Sequence, residues 1–100
     1  MSDVIYGDFE WDSEKARRNW RDHLISFREA TGVFDDPLFV TYYSSKHSGH
    51  EDRYVIIGQS RRRRLLAVAY TERKRRTRII SARRLTPAER RSYEEAQEEF

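Results

Sequence analysis

Apolar and polar positions change their period several times along these 100 residues, and each change marks an element. Val4 to Trp11 suits one short strand, and Asp12 follows it as an N-cap. Ala16, Trp20 and Leu24 then recur four apart. They predict a helix of roughly three turns from Ser13 to about Leu24, with this stripe toward the core. A second stripe, Lys15, Asn19 and His23, runs beside it. Ser26-Phe27-Arg28-Glu29 has the spacing of a capping box and opens a shorter helix with an apolar face of Phe27, Ala30 and Phe34. Asp35-Asp36-Pro37 ends that helix.

Period two dominates from there. Leu38 to Tyr43 is rich in β-branched and aromatic residues and reads as a strand, Ser44 to Asp52 as a polar loop, and Arg53 to Gln59 as the next strand. Arg61 to Arg64 forms a turn into Leu65 to Tyr70, an apolar run able to cross a sheet buried on both sides. The polar segment TERKRR connects it to a last strand, Thr77 to Ala82. Thr86-Pro87-Ala88-Glu89 starts a C-terminal helix: Thr86 is the N-cap, Pro87 suits the first helical position, and Glu89 sits where a capping-box acid belongs. On that helix Tyr93, Ala96 and Phe100 share a stripe. These elements predict an α+β class and a compact single domain over 1–100. It has a short N-terminal strand, two helices, a four-stranded antiparallel meander and a C-terminal helix, with the helices on one side.

Composition narrows the function. A hydrophobic fraction of 37% with 13% aromatics supports one packed core. No segment has the length of a membrane span, and the N-terminus lacks a signal peptide's apolar stretch. The absence of cysteine removes disulfide and thiolate chemistry and fits a reducing, cytoplasmic setting. The net charge of +3 conceals an asymmetry, because residues 61–91 hold 13 Lys and Arg against 2 acidic residues. That block favours a polyanion, nucleic acid or an acidic partner. Its bland alternative is a solvated face.

The stretch FEWDSEKARRNWRDHLISFREATGVFDDP resembles the opening of the BrnT ribonuclease toxin family, with its F-x-W-D, K, N, H, S-F and A pattern. EDRYVIIG, VAYTER, RIISARR and ERRSYE follow in matching order, so the resemblance runs from Phe9 to about Glu95. It implies a fold similar to the RelE-type bacterial toxins and an enzyme that cleaves RNA. It also implies a cognate BrnA-type antitoxin with a ribbon-helix-helix domain, in a heteromeric complex that represses its own operon. One departure stands out: the family commonly has Lys, His and Gly at the end of the first helix, where this chain has Asp22, His23 and Leu24.

RNA cleavage without a metal or other cofactor needs a base for the 2′-hydroxyl, an acid for the leaving oxygen, and cations for the phosphate. The chain offers His23, Tyr70, Tyr93, Glu51 and Lys15 for proton transfer, and the strand arginines Arg53, Arg78 and Arg83 for charge. In RelE-type toxins sheet arginines and a C-terminal tyrosine serve these roles, which the resemblance carries onto Arg83 and Tyr93. Each also has a structural alternative, and Arg78 and Arg83, five apart, fall on opposite faces of a regular strand unless a bulge intervenes. Arg61, Arg62 and Arg63 at the turn, with Arg78 and Arg84, are candidates for sequence-independent contact with phosphates. His47-x-x-His50-Glu51-Asp52 holds metal-capable groups at no recognised ligand spacing, and no metal is expected. A non-catalytic basic module that binds nucleic acid or protein is the competing function.

Overall fold

A computed structural model describes residues 2–47 and 51–98. The chain runs through β1 (Asp3–Tyr6), β2 (Phe9–Asp12), α1 (Ser13–His23), α2 (Phe27–Thr31), a 3₁₀ turn (Gly32–Asp35), β3 (Val40–His47), β4 (Glu51–Gln59), β5 (Leu65–Glu72), β6 (Thr77–Arg84) and α3 (Pro87–Glu98). The α+β class and the order of elements are those the patterning predicts. The N-terminal stretch read as one strand is a hairpin, because Gly7 at φ 59° turns the chain between β1 and β2. The loop expected over Ser44 to Asp52 is mostly strand, with β3 and β4 paired from Val40↔Ile57 to His47↔Glu51.

The sheet is larger than the expected meander. Its order is β1-β2-β6-β5-β4-β3, with β2 beside β6 in parallel and every other pair antiparallel. Helices cover both faces, which corrects the expectation of one. On the first, Trp11, Phe27, Ile56, Val68, Ile79 and other buried residues form the main core under α1 and α2. The Trp11 ring packs edge-on against Phe27, with centroids 5.8 Å apart. On the second, Tyr93 of α3 packs on Val55, Ile57 and Ala67. Among the described residues no helix is long and apolar enough to cross a membrane.

Helix α1 does not use the stripe its periodicity suggests. Trp20 and Leu24 are exposed, and Asn19 is the buried residue of the helix. The reason lies in β6, which β2 covers only at Thr77 and Arg78, leaving the strand edge beyond without a ladder partner. The Asn19 amide takes that place: Nδ2 donates to the Ala82 carbonyl at 2.9 Å, and Oδ1 accepts from the Ala82 N–H at 3.0 Å. Nδ2 also reaches the Ile25 carbonyl at 2.9 Å. A buried carboxamide with both ends satisfied fixes the rotation of α1 against the sheet, and the larger apolar side chains are turned outward.

The caps follow the sequence closely. Asp12 accepts from the Lys15 amide at 3.0 Å, and Ser26 Oγ from the Glu29 amide at 3.0 Å. Glu29 does not complete its capping box. Its carboxylate, almost fully buried, instead accepts from Arg64 Nε at 2.9 Å and from Ser60 Oγ at 2.7 Å, and it pairs with Arg64 Nη2. This contact pins the turn between β4 and β5 to α2. Helix α1 ends on Leu24 at φ 57°, ψ 37°, a left-handed conformation in which its N–H still donates to the Trp20 carbonyl at 2.9 Å.

Two stability outcomes follow. Asn19→Ala strands three buried backbone groups and lowers the free energy of unfolding by about 3 kcal/mol in a urea titration. Leu24→Gly removes the left-handed penalty, net of glycine's greater freedom when unfolded, and raises it by about 1 kcal/mol.

Candidate functional site

The face of the sheet under α3 gathers the strand arginines. On β4, Arg53, Val55 and Ile57 alternate onto this face. Arg83 pairs with Ala67 and Arg78 with Thr71, and the register shifts between Ala69↔Ser81 and Tyr70↔Ile79, so Ile80 has no partner. That extra residue is a β-bulge. It resets the alternation, and because Ala67 and Thr71 share a face, Arg78 and Arg83 do too. Tyr42, opposite Val55, joins them from β3. Three guanidinium groups and a phenol therefore rise from one surface.

Their partners differ. Arg83 donates through Nη1 to Glu89 Oε1 at 2.8 Å and through Nη2 to Glu89 Oε2 at 2.9 Å, and Nη1 also reaches the Arg84 carbonyl at 3.1 Å. The Nε edge of this guanidinium keeps its donors free of partners among the described residues. Arg78 meets two carboxylates instead of one: Nη1 donates to Glu10 at 2.6 Å and to Asp3 at 3.2 Å, and Nη2 donates to Asp3 at 3.0 Å. Arg53 makes no ion pair among the described residues, and its Nε is buried with no hydrogen-bond partner. A buried, unpaired guanidinium nitrogen has lost its water without replacing it, which makes Arg53 the cation most in need of an anion.

Glu89 organises the rim of this surface. It closes the capping box of α3 in both directions: its amide donates to Thr86 Oγ1 at 3.2 Å, and Oε1 accepts from the Thr86 amide at 2.9 Å. Oε2 also accepts from the Tyr42 hydroxyl at 2.9 Å. Arg83 first, against the cost of burial, and then Thr86 and Tyr42 hold the Glu89 carboxyl down at about 2. Burial, followed by Glu89, raises Tyr42 above its ordinary value. Spacing along the sequence marks Glu89 only as a cap and gives Tyr42 no role. The signals were present, since Tyr42 alternates with Val40 onto this face and Glu89 lies six residues beyond Arg83.

Of the remaining candidates, Tyr93 and Glu51 share this face but are committed to other partners, and the rest lie elsewhere. Tyr93 is buried, and its hydroxyl donates to Asp36 Oδ2 at 2.6 Å. Burial and that carboxylate push the phenol well above its ordinary range. Asp36 also accepts from the Gln59 amide at 2.7 Å and the Leu38 amide at 2.9 Å; burial opposes these bonds, but together they keep its carboxyl below its usual value. Gly58 makes this possible, because a Cβ there would stand 3.0 Å from Asp36 Oδ2. Lys15 and His23, both exposed, line a cleft of about 300 Å³ with Arg18, Asp22, Ile80 and Ser81, beside the edge of β6. Tyr70 is buried with its hydroxyl 3.1 Å from Thr41 Oγ1, and Glu51 accepts from Arg73 at 2.9 Å.

The arginine turn is largely neutralised. Arg61 pairs with Asp35, Arg62 lies 3.9 Å from Glu29, and Arg64 is half-buried against Glu29. Arg63, in the left-handed conformation at φ 64°, is exposed. It borders a cavity of about 610 Å³ with Arg64, Arg84 and Arg90. Of the metal-capable loop, His47 belongs to β3 and His50 lies outside the described residues. Among the described residues no three His, Cys, Asp or Glu side chains converge as a ligand set.

Residues 11–89 match the model of the family described as the ribonuclease toxin BrnT of type II toxin-antitoxin systems. No curated protein matches the chain. Among solved structures, the fold is similar to the 1.1 Å crystal structure of the Brucella abortus ribonuclease toxin BrnT. The TM-score is 0.55 and the identity 19%, over 76% of this chain and 92% of that one.

The Glu89 pair carries a pH signature. Its carboxyl sits near 2 in the folded chain against an ordinary 4.5, so its stabilisation is complete above about pH 4.5 and fades as pH falls toward 2. In acid titrations, wild type loses about 2 kcal/mol more than Glu89→Gln across that window, a figure discounted for partial solvation of the pair. Parallel acid profiles for the two proteins would show that the pair contributes nothing.

Proposed function

The chain belongs to the BrnT family of ribonuclease toxins of type II toxin-antitoxin systems, and we propose that it cleaves RNA without a metal on the α3 face of its sheet. The observation that carries this reading is Arg53, whose buried, unpartnered Nε lies on the same face as Arg83 and Arg78. In the proposed reaction the RNA backbone lies along this face, its phosphates meeting Arg53 and the open Nε edge of Arg83. The adjacent 2′-hydroxyl attacks phosphorus, forming a cyclic phosphate and expelling the 5′-oxygen of the next nucleotide. Charge gathering on the phosphoryl oxygens is met by guanidinium groups already held in place, which is the larger part of such catalysis. Arg78, neutralised by the two carboxylates of Asp3 and Glu10, contributes less to the substrate's phosphates than Arg53 and Arg83 do.

Proton transfer is assigned to His23 and Lys15, whose cleft borders β6 at Ser81, two residues from Arg83. Tyr93 serves to hold α3 on the sheet, since its proton is committed to Asp36. A BrnA-type ribbon-helix-helix antitoxin neutralises the enzyme, and the complex represses its operon through the antitoxin's DNA-binding domain. The type II character of the family supports this partner.

Cleavage of total RNA by the purified protein, read on a gel in the presence of EDTA, tests the reading. Arg53→Ala and Arg83→Ala are expected to slow cleavage by about 100-fold or more with folding intact. Arg61→Ala and Arg62→Ala, whose partners are acids of the fold, change it by about threefold or less. Full activity in Arg53→Ala would move the site off this face. Salt-sensitive RNA binding with no cleavage by wild type would favour the non-catalytic module.

A further inference from the structure

Helix α1 turns two large apolar side chains to solvent. Trp20 is 50% exposed and Leu24 60%, one turn apart. The backbone makes this more than a stray patch. Leu24 occupies the left-handed region, which glycine enters freely and leucine does not. It is held there by its own bond to the Trp20 carbonyl and by Arg64 Nη2, which donates to the Leu24 carbonyl at 3.2 Å. A strained leucine that adds little to the core directs attention to what its side chain can meet outside.

We infer that this face is where the antitoxin docks, through an amphipathic segment laying apolar side chains over Trp20 and Leu24 and directing carboxylates at the arginines of α1. The inference rests on the toxin–antitoxin reading above and assigns the surface it needs. Charge selects the occupant. Helix α1 carries four cations, Lys15, Arg17, Arg18 and Arg21, against Glu14 and Asp22. A second copy packed face to face would set Arg17 and Arg21 against their own symmetry mates. RNA is a poor fit, because Leu24 offers no π face for a base. An apolar helix face with a tryptophan anchor and an acidic partner is the common geometry of a helical peptide interface.

The test uses the full-length toxin with the antitoxin encoded in the same operon. Trp11 is buried, so the exposed indole is Trp20, and its fluorescence emission should move to shorter wavelength as the complex forms. Calorimetry should give a Kd about 10-fold weaker for Leu24→Gly and about 100-fold weaker for Trp20→Ala/Leu24→Gly, with RNA cleavage by the free proteins within about twofold of wild type. Leu24→Gly keeps the assay clear of misfolding, since it relaxes the helix end while removing the anchor. Unchanged antitoxin affinity in the double variant, or a Trp20 emission that stays solvent-like in the complex, overturns the assignment and leaves the toxin reading standing. Loss of self-association with unchanged antitoxin affinity would give the face to a second copy and overturn it as well. Wild type that binds no antitoxin would overturn the toxin–antitoxin reading itself.

Discussion

The Glu89 carboxylate ties the last helix to the sheet and sets the arginine beneath it. Its two oxygens serve the Thr86 amide, both Nη atoms of Arg83 and the Tyr42 hydroxyl, so one group joins α3, β6 and β3. The strand that ends at Arg84 and the helix that begins at Pro87 are separated by two residues. That short link alone would leave the angle of the helix open, and the fork of hydrogen bonds closes it. Arg83 is thereby held with its Nε edge outward, and a positioned cation is worth more to a developing charge than a mobile one.

What was legible in the sequence was local, and what was hidden was rotational. Caps could be read because each depends on residues three apart: Asp12, Ser26 and Thr86 all accept the bonds their spacing implies. The facing of α1 could not, because period alone ranks Trp20 above Asn19, whereas the bare edge of β6 needs a carboxamide and admits no indole. Parity likewise sets Arg78 and Arg83 on opposite faces. The bulge at Ile80 that reverses this has no glycine or proline to announce it. Helices on both faces followed from α3 covering Val55, Ile57 and Ala67, a pattern visible as apolar runs in β4 and β5 once both faces are counted.

The basic block is less free than its composition suggests. Asp3 and Glu10 hold Arg78, Glu29 and Asp35 hold the turn from Arg61 to Arg64, Glu51 holds Arg73, and Glu89 holds Arg83. Acids from residues 1–60, with Glu89, neutralise cations of the basic block, so much of the local excess charge is used in building the fold. Arg53 lies outside the basic block, among residues 1–60 where acids outnumber cations 11 to 7, yet it lacks a partner among the described residues, and this inversion singles it out. The candidate site is thus one face of the sheet, narrower than the arginine runs that first draw the eye.

The most direct test of that claim is to titrate the protein with a short RNA carrying a 2′-deoxy substitution, which removes the attacking hydroxyl and blocks cleavage, while following arginine Nε–H resonances by NMR. The account predicts that Arg53 and Arg83 shift first and saturate together. Shifts confined to Arg61, Arg62 and Arg63, with Arg53 and Arg83 unmoved, would contradict it.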